Sequence, residues 1–306
     1  SAGAAERRER MIYMAQNMEK RKTPFQANLK KFMTNLLAIV GLVVLVLLLL
    51  FAILGPFLTG YDYETIDMMN MLSKPGNGHL LGTDELGRDI LTRLAWGGRV
   101  SISVGIIATL VELVIGVLLG SIAGLYGGVV ESIIMRITDI IMCFPFFVIA
   151  LSIAAITGPS YRNVIMIIGI LGWPAVCRIV RSKVLYLKNM EYVEAARSLG
   201  LSQMEIIFRH ILPNAMGPII VFTTLSVAKA VLLEASLSFL GVGIAKPQSS
   251  WGTMLSEAQN MQILQDCWWM WVPAGLLVLL TVLSINFLGD GLAEVLDPKS
   301  RGKGEL

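Results

Sequence analysis

The residues with the most chemical potential in this sequence are charges set inside apolar runs. Glu112, Lys229 and Glu234 fall in stretches that are otherwise strongly hydrophobic. A lone charge at mid-bilayer costs several kcal/mol, so each needs a partner or a polar surrounding. Glu234 lies about one and a half helical turns beyond Lys229. Two roles fit these three residues: a buried ion pair that locks helix packing, or the lining of a polar translocation path. The remaining reactive residues suggest little. Cys143, Cys177 and Cys267 show no CxxC spacing, and His79 and His210 lie far apart, so the sequence indicates no metal site. It contains no GxxxxGK[ST] loop to cradle a triphosphate. A membrane-embedded enzyme would need a nucleophile with its base, or a metal cluster, and neither is apparent.

A second concentration of polar residues runs from Asn189 to Pro213, NMEYVEAARSLGLSQMEIIFRHILP. Its pattern predicts two short amphipathic helices joined by a glycine. Asn189 is placed to cap the first, with Glu191 in its first turn. Gly200 suits the left-handed position past its end. Ser202 and Glu205 have capping-box spacing, and Pro213 is expected to close the second helix. A helix–glycine–helix corner between apolar spans is a rigid handle.

The elements that position these residues follow from composition. The chain has 306 residues, 55% hydrophobic and 15% charged, against about 25% charged in a soluble domain. Its apolar runs are long enough to cross a bilayer, which takes about 20 helical residues. Six spans are expected: Leu36 to Phe57, Ser101 to Tyr126, Ile137 to Ile156, Val164 to Val180, Gly217 to Leu240, and Trp271 to Leu288. Pro145 is a kink candidate in the third, and Gly172-Trp173-Pro174 interrupts the fourth. Gly116, Gly120 and Gly124 in the second have small-xxx-small spacing, which lets helices approach closely. Trp268, Trp269 and Trp271 read as an interfacial belt.

By organisation, residues 1–32 form a basic tail, in which Phe25 to Phe32 could lie on the membrane surface. Residues 33–98 hold the first span and a polar loop, 99–290 the core with the handle at 181–213, and 291–306 a polar tail. Of the 25 Lys and Arg residues, 18 fall on the handle's side and 6 on the side of the loops at 60–99 and 241–269. The positive-inside rule then places both termini and the handle in the cytoplasm.

Within the handle, Glu194-Ala195-Ala196, Gly200 and Leu212-Pro213 match the EAA motif, EAA-x3-G-x9-I-x-LP, with His210 in place of its isoleucine. The sequence thereby resembles binding-protein-dependent ABC importer permeases. Three further stretches are similar to the C-type subunit of the dipeptide/oligopeptide/nickel family: Leu81-Gly-Thr-Asp-Glu-Leu-Gly-Arg-Asp-Ile-Leu-Thr-Arg, Glu234-Ala-Ser-Leu-Ser-Phe-Leu-Gly-Val-Gly with Ser250-Trp-Gly, and Asn286-Phe-Leu-Gly-Asp-Gly-Leu with Leu296-Asp-Pro. The resemblance implies an all-α membrane protein with six transmembrane helices, the type I importer (MetI-like) permease fold, and a cytoplasmic coupling helix. It implies that Glu194, Ala195, Ala196, Gly200, Leu212 and Pro213 form the contact with an ATPase. It also implies the partners: a second homologous permease, two cytoplasmic ATPase subunits that bind ATP and Mg, and an external substrate-binding protein. The chain itself is expected to carry no cofactor, to catalyse no reaction, to bind no nucleic acid, and to reside in a bacterial or archaeal inner membrane. The function implied is import of di- or oligopeptides by alternating access, with nickel or glutathione-like substrates as the alternative. An ion-coupled secondary transporter using Glu112, Lys229 and Glu234 as a relay is the rival from another class, and the handle argues against it.

Overall fold

The structure, a computed structural model, describes residues 32–76 and 78–296. The expected tail helix over Phe25 to Phe32, the rest of both tails and Asn77 therefore lie wholly or largely outside the described residues. No strand occurs among the described residues, only two isolated bridges in the loop before the second helix. The main helices are α1 (Leu36–Leu58), α2 (Ile90–Tyr126), α3 (Gly128–Cys143), α4 (Phe146–Thr157), α5 (Tyr161–Leu187), α6 (Glu191–Ser198), α7 (Gln203–Phe239), α8 (Trp251–Leu255), α9 (Met261–Asp266) and α10 (Trp268–Leu296). Five of these (α1, α2, α5, α7 and α10) are long and apolar enough to cross a membrane. Helices α3 and α4 meet that test only together, bent by 87°.

Contacts fix the directions of the helices. Gly55 of α1 lies against Ala95 of α2, and Gly98 against Ala52, so these two run antiparallel. Along α2, Gly116, Gly120 and Gly124 meet Val176, Val180 and Val184 of α5 in step. Helices α2 and α5 therefore run parallel. The chain can link two parallel helices only by crossing back between them, and the bent pair α3–α4 makes that crossing. Ser101 and Gly105 of α2 pair with Glu234 and Val231 of α7, which is antiparallel again. Helix α10 returns beside both α1 and α7. Counted this way the chain crosses six times. The start of α1, the end of α10 and helix α6 share one end, here the handle end. The 60–89 loop and α8–α9 share the other, the loop end.

Several expected boundaries move. Helix α2 begins at Ile90 rather than Ser101. Asp89 caps it, accepting from the Thr92 N–H at 2.8 Å, and its first turns stand clear of the apolar run. The third crossing starts at Gly128, and the kink expected at Pro145 is an 87° bend at the break between α3 and α4. Gly172-Trp173-Pro174 does not interrupt α5, which is continuous through Pro174. Asn189 is no cap: Met190 occupies that position, and the Asn189 amide donates to Leu185 O at 3.3 Å. Pro213 does not end the handle's second helix. Helix α7 runs through it, and a π-helical stretch over Ile206–Ile211 leads into the Pro position. A widened turn accommodates a ring that has no N–H and that crowds the carbonyl four residues back. At the other terminus α10 extends to Leu296, so 291–296 are helical rather than tail.

Three apolar clusters hold the bundle. One joins α1, the start of α2, α8 and α10 around Trp251. The second joins α2, α4, α5 and α7, and the third packs the handle under α5 and α7.

Candidate functional site

The handle is built as a plug with one buried face. Val193 and Ala196 of α6 point into the bundle against Val184, Ile206 and Ile211. Gly200 has φ +83° and nothing within 4 Å of a built Cβ, so the turn itself requires glycine. The Ser202–Glu205 capping box is formed in both directions. The Ser202 N–H and hydroxyl hold the exposed Glu205 carboxyl below the usual carboxylate range. At its base, Lys188 Nζ donates to Gly124 O at 2.9 Å, and Arg181 pairs with Glu131. The base of the handle is therefore tied to the last turn of α2 and the first turn of α3.

The predicted contact residues separate by facing. Glu194, Ala195, Gly200 and Pro213 are exposed, whereas Leu212 is half-buried and Ala196 is only 5% exposed. Ala196 thus seats α6 on its own chain, and the free face carries Glu194 and Ala195. Sequence reasoning missed the exposed apolar residues of the handle. Tyr192, Met204 and Phe208 are exposed, and Leu199 is 80% exposed. Large apolar side chains at the polar end of a membrane protein were the available signal.

The three intramembrane charges do not converge. Glu112 is buried and accepts from Ser226 Oγ at 3.3 Å. A Cβ on Gly172 would come within 2.8 Å of its carboxylate, so Gly172 provides the space for it. Lys229 is exposed on α7 and forms no ion pair with Glu112 within 4.0 Å. Glu234 is fully buried with serine partners, and Lys229 is not among them.

The loop end draws the other motifs together. Asp84 accepts from Arg88 Nε at 2.7 Å and Arg93 Nη1 at 2.6 Å, and the same Arg93 nitrogen reaches Glu257 at 3.0 Å. Burial pushes the Glu257 carboxyl up, against the pull of Arg93. His79 and the capping Asp89 meet at 2.9 Å. Gly252 lets α8 lie on α7, since a Cβ there would stand 2.7 Å from Ala235 Cα. Trp269 is a pin rather than part of a belt: it is buried, and its Nε1 donates to Thr83 O at 3.2 Å. Trp268 remains exposed.

A six-crossing helical bundle with a packed handle at one end and a braced loop cap at the other is the architecture of a multi-pass membrane protein. The chain belongs to the family described as "binding-protein-dependent transport system inner membrane component", whose model matches residues 116–302, and residues 23–75 match the N-terminal TM domain of oligopeptide transport permease C. It is 42% identical over 91% of its length to the dipeptide transport system permease protein DppC of Alkalihalophilus pseudofirmus, covering 91% of that protein. It is also 42% identical to the oligopeptide transport system permease protein OppC of Bacillus subtilis, over 89% of this chain and 88% of that one. The fold is shared with an inward-facing structure of the MetNI methionine ABC transporter, at TM-score 0.53 and 17% identity, over 66% of this chain and 94% of that one.

Proposed function

We propose that this chain is the permease subunit of an ATP-driven importer of di- or oligopeptides. It works beside a second permease, over two ATPase subunits, and receives substrate from an external binding protein. The relatives named as dipeptide and oligopeptide permeases support the substrate class. The observation that carries the mechanism is the free face of α6. Glu194 and Ala195 are exposed on a helix whose opposite face is locked into the bundle, and Leu199, Met204 and Phe208 of the same handle are exposed as well. A short amphipathic helix with an apolar rim fits a groove of a partner. Motion of that partner is passed to α5 and α7 as a rigid body. The handle end is the cytoplasmic end on this reading. Lys229 is exposed in mid-span, where lipid would be costly for it, so it lines the polar path or faces the sister permease.

The test separates docking from folding. Ala195→Trp and Glu194→Lys alter the free face and should leave the permease's thermal unfolding unchanged while reducing ATPase recovery and peptide uptake at least tenfold. Ala196→Trp, which overfills the buried face, should lower the unfolding temperature as well. Normal ATPase recovery and uptake in both free-face variants would refute the docking role.

A further inference from the structure

The loop end contains a cavity that none of the features above uses. Its volume is about 470 Å³, and it opens between the 60–89 loop, the first turns of α2, the start of α5 and the segment after α7. Tyr63, Trp96, Arg99, Tyr161, Gln248 and Ser249 line it. Its size falls in the range of small-ligand sites, about 300–1,000 Å³.

Two of these side chains are prepared for something that is not in the chain. Arg99 Nε donates to Ala52 O at 2.7 Å and its Nη2 to Ile53 O at 2.6 Å. Pro56 explains the first bond, because it lacks the N–H that would otherwise satisfy Ala52 O. The Trp96 ring lies 4.5 Å from the guanidinium carbon. Carbonyls and a ring orient a guanidinium without neutralising it, and no described carboxylate pairs with Arg99 within 4.0 Å. Ser249 is 3% exposed, and its hydroxyl has no hydrogen-bond partner. A buried hydroxyl left unmet costs about 1–3 kcal/mol. Tyr161 is fixed at the rim by its bond to Ser103 Oγ at 2.9 Å, and Gln248 presents an exposed amide.

An oriented, unpaired guanidinium suits a planar anion that accepts two N–H bonds. Hydroxyl and amide groups beside it suit a peptide unit. We propose that this cavity is a subsite for the C-terminal carboxylate of the incoming peptide. Arg99 holds the carboxylate, Ser249 and Gln248 bond the last peptide unit, and Trp96 and Tyr63 flank the terminal side chain. The proposal rests on the peptide-importer reading and places the first contact of a released peptide with this subunit at the loop end. A phospholipid headgroup offers a similar anion but brings no peptide unit for Ser249 and Gln248.

The experiment uses the complete transporter in liposomes, with the native cysteines changed to serine and Ala245→Cys placed at the cavity mouth. The rate of its modification by a membrane-impermeant maleimide is read with millimolar trialanine or trialanine amide. Trialanine should slow modification at least about fivefold and the amide should not, as expected for a charge-assisted contact. Arg99→Gln should abolish the protection. Ser249→Ala, which leaves the α1 carbonyls untouched, should weaken it about threefold and decides the matter if Arg99→Gln fails to fold. Equal protection by acid and amide, or none by either, overturns the proposal. So does protection produced without peptide by phosphatidylglycerol-rich liposomes, which would identify a lipid headgroup. ATP-dependent trialanine uptake is measured on the same liposomes. Absent uptake with intact protection would count against the importer reading, and intact uptake without protection against the subsite alone.

Discussion

Glu234 of α7 accepts a hydrogen bond from Ser101 of α2 at 2.8 Å, in a site with no solvent exposure and no described cation paired to it. Its other oxygen accepts from Ser238 Oγ at 2.8 Å. Each of these hydroxyls in turn accepts a backbone N–H, Ser101 from Trp251 at 3.2 Å and Ser238 from Ile244 at 3.3 Å. Backbone dipoles thus reach the carboxylate through two hydroxyls, and the relay ties α2 and α7 to α8. The residue that invited a relay or ion-pair reading is a staple.

Glu234→Ala removes the common acceptor and leaves both serine protons unmet. We expect a loss of about 3 kcal/mol, from about 1–3 for each buried unmet group. Thermal unfolding of the purified permease would measure it, and Trp251 emission should shift red as α8 loosens. Unchanged stability would mean the staple carries no weight.

Close packing of α2 on α5 gives a second expectation. A Cβ on Gly120 would stand 2.6 Å from Cys177 O and 2.9 Å from Val180 Cβ, whereas one on Gly217 meets nothing nearer than Leu296 Cβ at 3.8 Å. Gly120→Ala should cost about 1–3 kcal/mol by overpacking. Gly217→Ala should stay within about 0.5 kcal/mol of the parent. The two unfolding temperatures, measured side by side, decide it.

For Glu112 and Lys229 we expect independence. Glu112 bonds to Ser226, and a glutamine oxygen can accept that bond equally. Glu112→Gln and Lys229→Met should each keep a near-normal folded yield, and combining them should bring no rescue. A double variant that recovers what both singles lose would restore the ion-pair view.

The capping box carries a pH signature. Glu205 is held below the ordinary carboxylate range by Ser202. A depressed acid stabilises the folded form above its unfolded pKa, near 4.3. That contribution should fade as pH falls through the lowered value. The protection factors of the Glu205 and Ile206 amides, taken relative to intrinsic exchange at each pH, should therefore fall in acid, and Ser202→Ala should flatten the dependence. Equal pH profiles in parent and variant would contradict this.

Orientation is open to labelling. Lys246→Cys at the loop end and Ser202→Cys in the handle are both at exposed positions. With native cysteines replaced, an impermeant thiol reagent added to intact cells should modify the first and spare the second. The reverse pattern would place the handle outside and end the coupling proposal.

The sequence by itself determined the number of crossings, the handle with its glycine and its Ser202–Glu205 capping box, and the permease family, because apolar run length, glycine at a positive φ and capping spacing are local or additive properties. The handle's glycine and capping box formed from residues three or four apart. It did not determine facing or meeting. Whether Ala195 or Ala196 turns inward depends on the helix start, which moved by a residue when Met190 rather than Asn189 took the cap position. Pro213 read locally as a stop, but the bundle continued the helix through a π turn. Only tertiary packing could bring Ser101 to Glu234 and Trp251, 133 and 150 residues away, or leave a buried Ser249 lining one cavity with an unpaired Arg99. Such contacts depend on the directions and close approach of α2, α5 and α7, and a single strand of sequence carries no record of which distant face each helix will meet.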